Sequence, residues 1–308
     1  MKIIETEAKD YKALFPKPQH VFNTVDFSLL NSHKAERLHY LVFDDAGARM
    51  GLILGERNDG RMYSPFSAPF GGFTTNRPQQ FEYFDKAVAV LKDYCAKSGK
   101  RVMMTLPPAF YDRRQLPLAV NAMHRYAETM CVDVNYHFDM ADFDSYSTLI
   151  DRNARNKLNI ALRDSLVFSK VAEGDREGVA RAYEVIRRNR EEHGYPLRMS
   201  YDDVRRTMDV IHADFFLLSH EGKDIAAAQV FHVAEGICQV IYWGNLNESS
   251  HLRPMNLLAY RIFEHYRGQG LRILDIGPST EDGTPNYGLC NFKKSIGCLP
   301  SNKFSFLL

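Results

Sequence analysis

Apolar and polar positions along this 308-residue chain follow two different periods, and their order is stated twice. In the first half LHYLVF (38–43), a DDAG turn, ARMGLILGE (48–56), a DG turn and RMYSPF (61–66) read as short strands joined by hairpin turns. The period then changes. From about Pro78 to Ser98, Phe81, Phe84, Ala87, Val88, Leu91 and Tyr94 recur three and four apart, which predicts a helix; SGK stops it, and RVMMTL reads as the next strand. In the second half DFFLLS, an EGK turn, DIAAAQVFHV, a Glu-Gly turn, ICQVIYWG, a helical run from about Pro254 to Tyr266, a GQG stop and LRILDI repeat that order. The offset of about 170 to 175 residues is half the chain, too long for a solenoid repeat. It predicts two mixed α/β domains of one architecture, each a mostly antiparallel sheet flanked by helices, over residues 1–142 and 143–308. The tail KFSFLL (303–308) reads either as a strand returning to the first domain or as the close of the second.

A helical segment of different character lies between the two strand sets. YSTLIDRNARNKLNIALRDS (146–165) puts Ile150, Ala154, Leu158 and Ala161 on one face and Arg152, Arg155, Asn156, Asn159 and Arg163 on the other. One side is built to pack and the other is basic. A second run, GDREGVARAYEVIRRNREEHG, ends at Gly194 before Tyr195 and Pro196, and Ser200 is placed to cap a third, SYDDVRRTMDVIH.

Composition narrows the function classes. The chain is 45% hydrophobic and 25% charged, enough for a real core, and 39 basic against 38 acidic residues leave a net charge of +1, so no global field draws it to DNA or a membrane. Five scattered cysteines without CxxC spacing argue against a disulfide framework or structural zinc and fit a reducing cytoplasm. The start MKIIETEAKDYK is too charged for a signal peptide, and no apolar run approaches the roughly 20 residues of a spanning helix. The 11 histidines show no linear metal motif, and neither a GxSxG elbow nor a P-loop occurs, so no metal, serine-hydrolase or NTPase chemistry is expected.

Four segments, taken in order, resemble the FemAB family of peptidoglycan-bridge aminoacyltransferases: RMYSPFSAPFGG in the first half, DRNARNKLNIALRDS, GYPLRMS and NYGLCNFKKSIGC. The last is similar to an L-x-x-F-K-x-x-F-G segment, with Ile296 in place of its second aromatic residue. A related branch of GNAT-type N-acyltransferases, associated with polysaccharide and cell-envelope gene clusters, is an equally good match. The resemblance implies tandem GNAT-like folds and transfer of an acyl or aminoacyl group to an amine. It covers most of the chain, but the long helical arm of some members is absent, and Phe66 or Ser67 stands where the proline-glycine motif has arginine.

Acyl transfer to an amine passes through a tetrahedral oxyanion, so positive charge or N–H donors must wait where that charge develops. By resemblance Lys293 is the lysine directed at the reacting carbonyl or a substrate phosphate. On a strand, Lys293 and Asn291 would share a face and Lys294 the other; the plain alternative is two solvated lysines guarding a strand edge. Arg152, Arg155 and Lys157 offer forks for phosphate, or simply a solvated basic face. Tyr195, in GYPLRMS, joins them as a substrate-binding candidate, and Tyr242 and Trp243 end an apolar strand where they wall a pocket or belong to the core. The loop YWGNLNESSHLRPMN lies where a GNAT fold turns from strand to helix around a pyrophosphate; it lacks the glycine-rich turn, leaving Ser249, Ser250, His251 and Arg253 as cofactor-binding candidates. For a general base the candidates are His193, His232, His251, Asp275 and Glu281, with Asp275 favoured because strand ends face clefts in α/β sheets, though a carboxylate there also serves as a cap. The expected protein is a cytoplasmic N-acyltransferase using acyl-CoA or aminoacyl-tRNA, without metal or covalent intermediate, on an amine of a phosphate-bearing envelope or polysaccharide precursor. A silent tandem GNAT-like module binding such precursors or a protein partner is the alternative, and RNA binding through the Arg152–Arg163 helix is a third.

Overall fold

The computed structural model describes residues 1–308, which divide into two compact units. The first comprises Met1–Val134, Thr280–Thr284 and Ser301–Leu308. Its strands are β1 (Lys2–Thr6), β2 (Arg37–Asp44), β3 (Ala48–Glu56), β4 (Arg61–Ser64), β5 (Thr74–Thr75), β6 (Arg101–Thr105) and the first half of β7 (Glu128–Asp139). β1 to β4 are successive antiparallel neighbours; hairpin turns join β2 to β3 and β3 to β4, two short helices intervene between β1 and β2, and β4 pairs parallel with β6 after a crossover through helix Phe81–Ser98. That helix ends where Gly99 takes a left-handed conformation (φ 66°), as the SGK stop predicts. Its face of Phe84, Ala87, Val88 and Leu91 packs on Leu41, Leu52, Val102 and Met104, all buried. The C-terminal strand Leu299–Leu307 pairs antiparallel with β6, and Phe306 enters the same core.

The second unit comprises Asn135–Ser279 and Pro285–Pro300. The second half of β7 continues into a sheet with β8 (Leu166–Lys170), β9 (Ala213–His220), β10 (Lys223–Ala234), β11 (Ile237–Asn245) and β12 (Ile273–Pro278), in the order β7-β12-β11-β10-β9-β8. Pairing is antiparallel except for β11 with β12, again across a helix, Pro254–Gly268. The expected boundary at 142/143 instead falls at Val134/Asn135, because β7 is one uninterrupted strand whose two halves serve different units. Thr280 and Gly283 join the first unit through hydrogen bonds from the Thr280 hydroxyl (2.6 Å) and the Gly283 N–H (3.1 Å) to the Asp133 carboxylate.

The basic segment forms a short helix, Tyr146–Leu149, then, after Ile150 and Asp151, a second helix, Arg152–Arg163. Ile150, Ala154, Leu158 and Ala161 are buried, which is the face their spacing marks out. Helix Arg176–Glu192 covers the other side of the second sheet with Val179, Ala182, Val185 and Ile186. Ser200 caps helix Tyr201–Met208 in a capping box with Asp203. No helix is long and apolar enough to cross a membrane.

Candidate active site around Lys293

The segment Tyr287–Ser295 is a helix, not the expected strand; Asn286 caps it by accepting the Leu289 N–H at 3.0 Å. Asn291 and Lys293 therefore point roughly 200° apart rather than together, and Asn291 is exposed. Lys293 turns inward and is 2% exposed, while Lys294 faces solvent. The Lys293 Nζ donates to the backbone carbonyls of Ile276 (2.8 Å), Gly277 (2.9 Å) and Pro278 (2.9 Å), the exit of strand β12. The ring of Tyr136 lies 5.8 Å away. Burial pushes the Lys293 ammonium down to about 8, only partly offset by the nearby Cys298, Asp275 and Cys290. It remains mostly protonated at pH 7, and its charge is met by neutral carbonyls rather than by a carboxylate.

Asp275 holds the same turn from the other side. It is fully buried; Oδ1 accepts from Asn135 Nδ2 (2.7 Å) and the Gly277 N–H (2.8 Å), and Oδ2 from Gln239 Nε2 (2.8 Å). Gly277 has φ 72°, a conformation that a side chain strains, and the β12–β7 register shifts between Asp275 and Pro278. The acid therefore lies within the sheet instead of facing a cleft, held by three N–H donors.

Several substrate-binding candidates converge on this helix. The Trp243 ring meets Phe292 edge-on at 6.0 Å, and Asn286 Nδ2 reaches the Tyr195 hydroxyl at 3.5 Å. The Asp151 N–H donates to Ser295 O at 3.1 Å, which ties the start of the Arg152 helix to the end of the Lys293 helix. Arg152 is exposed, Lys157 is half-buried, and Arg155 turns back on its own chain, with Nη2 at 3.4 Å from Ile150 O. The buried Tyr242 accepts the Arg198 N–H at 3.2 Å.

Arg190, a residue the sequence patterns did not single out, has its guanidinium 5.6 Å from the Tyr195 ring and 5.0 Å from that of Tyr242. Its Nε is buried without a partner, and burial lowers its pKa. Only the surplus of arginines in RRNREE hinted at it, because nothing linear tells which of them turns inward. His193 stacks on Tyr195 at 5.6 Å and 15°, and its Nδ1 donates to Asn189 O at 2.8 Å, which in a neutral ring leaves the lone pair on Nε2.

The other candidates lie elsewhere. In the 3₁₀ turn Asn247–Leu252, Ser249 is buried and the Ser250 hydroxyl accepts from Asn245 Nδ2 at 3.0 Å. The ring of His251 bonds Glu248 O, and Arg253 takes φ 58° and bends back to Ser250 O at 3.5 Å. The next helix begins with Pro254, which offers no N–H, and the Asn247 N–H is already taken by the Glu192 carboxylate at 2.8 Å. His232 bonds Asp214 at 2.7 Å, and Glu281 lies on a two-residue strand of the first unit.

A family profile described as "Acetyltransferase (GNAT) domain" matches residues 150–294, the stretch that contains helix Arg152–Arg163, β8 to β12 and Lys293. That part of the chain is similar to a GNAT-type acetyltransferase domain. No curated protein matches the sequence. Among solved structures, FemX superposes with a TM-score of 0.69 at 12% identity, covering 100% of this chain and 98% of that one. The C-terminal domain of a putative lysylphosphatidylglycerol synthetase from Agrobacterium fabrum gives 0.62 at 12% identity, with 97% and 92% covered. A tandem GNAT protein from the clavulanic acid biosynthesis pathway gives 0.55 at 13%, with 99% and 97% covered. The whole length of the chain thus shares its fold with FemX and with the tandem GNAT protein, the fold that the sequence resemblance implies.

Proposed function

We propose that this protein is a cytoplasmic N-acyltransferase that moves an acyl or aminoacyl group from a thioester or ester donor to an amine on a phosphate-bearing precursor of the cell envelope or of a polysaccharide. The observation that carries the reading is Lys293, a buried ammonium whose charge is not cancelled by any ion-paired carboxylate. In a dry surrounding such a charge stabilises an oxyanion far better than in water. The acceptor nitrogen bonds to the donor carbonyl carbon, the carbonyl electrons collect on oxygen, and collapse expels the thiolate or the ribose alkoxide while the amine loses a proton. Lys293 answers the oxyanion by exchanging one of its carbonyl partners for it; the contact with Pro278 O, the one only partly buried, is the one to open. His193 Nε2 suits the proton better than Asp275, which is enclosed within the sheet. Arg190 supplies a cation for the precursor's phosphate, supported by Arg152 and Lys157.

Glu192, seated on the Asn247 N–H, favours aminoacyl-tRNA over acyl-CoA as donor, because a carboxylate repels a pyrophosphate at the turn where a GNAT fold cradles it. The same three carbonyl bonds that anchor Lys293 also favour a second reading, a silent module that recognises such precursors, since the ammonium has no donor to spare without rearrangement. Lys293→Met separates the two. Lost transfer with donor and acceptor binding retained supports the enzyme; unchanged turnover removes Lys293 from the chemistry.

A further inference from the structure

A second polar cluster lies in the same unit, at the open end of β9. His212 precedes this strand, Asp214 lies on it, and His232 lies on β10, whose backbone N–H donates to His212 O at 2.9 Å. Residues of like parity on paired strands share a face, so all three side chains project to one side. His232 Nε2 is 2.7 Å from Asp214 Oδ2, His212 Nε2 is 3.6 Å from Asp214 Oδ1, and the two imidazoles are 4.4 Å apart, centre to centre. All three donor atoms fall within 4.8 Å of one another. Tetrahedral zinc with bonds of about 2.0 to 2.2 Å sets its ligand atoms roughly 3.3 Å apart, a spacing these distances straddle.

We propose that His212, Asp214 and His232 form a zinc-binding site, separate from Lys293 and served by its own cavity. The donor set of two imidazoles and one carboxylate suits a borderline transition metal rather than magnesium or calcium, which take oxygen. A shell behind the ligands is already in place: the Tyr266 hydroxyl donates to Asp214 Oδ2 at 2.8 Å and fixes the carboxylate. Lys170 Nζ, 2.7 Å from Asp214 Oδ1, occupies the place a cation would take, and with its side chain 36% exposed it is free to swing out as the metal enters. Lys170, His212 and Asp214 also line a cavity of about 910 Å³ that continues between Arg176 and Arg206. Three protein ligands leave zinc a fourth position, which this cavity can fill with water or an anionic ligand. No linear spacing announces the site, because 18 residues separate Asp214 from His232 and only the β9–β10 register closes the gap.

The rival account is an ion-pair network closed by Lys170 that binds no metal. The test is titration of the chelator-treated full-length protein with zinc against a colorimetric indicator, with cobalt absorption as a second readout. One equivalent is expected, with tetrahedral cobalt bands. His212→Ala, at a side chain 55% exposed where little packing is lost, should weaken binding by more than the roughly 10–100-fold that losing an outer partner of a ligand costs. Lys170→Met should tighten it by about fivefold, the worth of removing one partly exposed competing cation. No zinc bound by either the wild type or Lys170→Met overturns the proposal, and so does an equivalent that survives the double change His212→Ala/His232→Ala, which would place the metal on cysteines.

Discussion

Lys293→Met removes a charge that folding has driven into the protein, and pH exposes its cost. Burial lowers the ammonium from an ordinary 10.5 to about 8 in the native state. Between those two values the unfolded chain binds more protons than the native one, so native stability rises with pH through that window and is flat below about 8. At pH 7 the whole difference opposes folding, by about 3 kcal/mol at 1.36 kcal/mol per pKa unit. Methionine abolishes this penalty but leaves the carbonyls of Ile276, Gly277 and Pro278 without their donor, at about 1 to 3 kcal/mol for each group that stays dry. At pH 7 the opposing effects make the variant neutral to several kcal/mol less stable. The difference between wild type and variant is more telling, since every other titrating group cancels in it. Urea unfolding followed by circular dichroism at pH 7, 8, 9 and 10 should show wild type gaining about 2 to 3 kcal/mol on Lys293→Met across that range. A constant difference would refute the buried, charged lysine and with it the oxyanion role.

Other outcomes follow from the same geometry. If the protonated Lys293 stabilises the oxyanion, kcat of the wild type should fall as pH rises through about 8, a decline read from a pH–rate profile. His193→Gln should lower kcat by roughly 10²- to 10⁴-fold with little change in KM if Nε2 accepts the amine proton, and should leave kcat intact if it does not. Asp275→Asn breaks the pattern of three donors on a buried carboxylate and should cost about 2 to 3 kcal/mol in urea unfolding. Gly244→Ala puts a Cβ into the Asn189 amide, which donates to Asn245 O at 2.7 Å, and should cost about 1 to 3 kcal/mol, seen as a lower Tm. A thiol reagent should label at most Cys131 and Cys290 in the folded protein, counted by mass spectrometry, because Cys95, Cys238 and Cys298 are buried; burial also pushes the Cys131 thiol up to about 11, so Cys290 should react first.

The hydrophobic pattern by itself determined the elements and their doubled order, because a period of two or of 3.6 residues fixes which side chains can share a face whatever packs against them. Thus 81–98 and 254–268 are helices where their spacing places them, and Ile150, Ala154, Leu158 and Ala161 are buried together. Short, mixed stretches were different. YGLCNFKKS carries no decisive period over nine residues, so strand and helix compete on equal terms until Asn286 caps the segment and Lys293 finds three carbonyls. Tertiary structure alone decided that Lys293 is buried and Lys294 is not, that Arg190 lies between two tyrosines, that β7 serves both units, and that His212, Asp214 and His232 meet. Each of these depends on groups distant in sequence brought within a few ångströms by strand register, and the free energy of burying a charge or pairing a donor exists only once that register has formed.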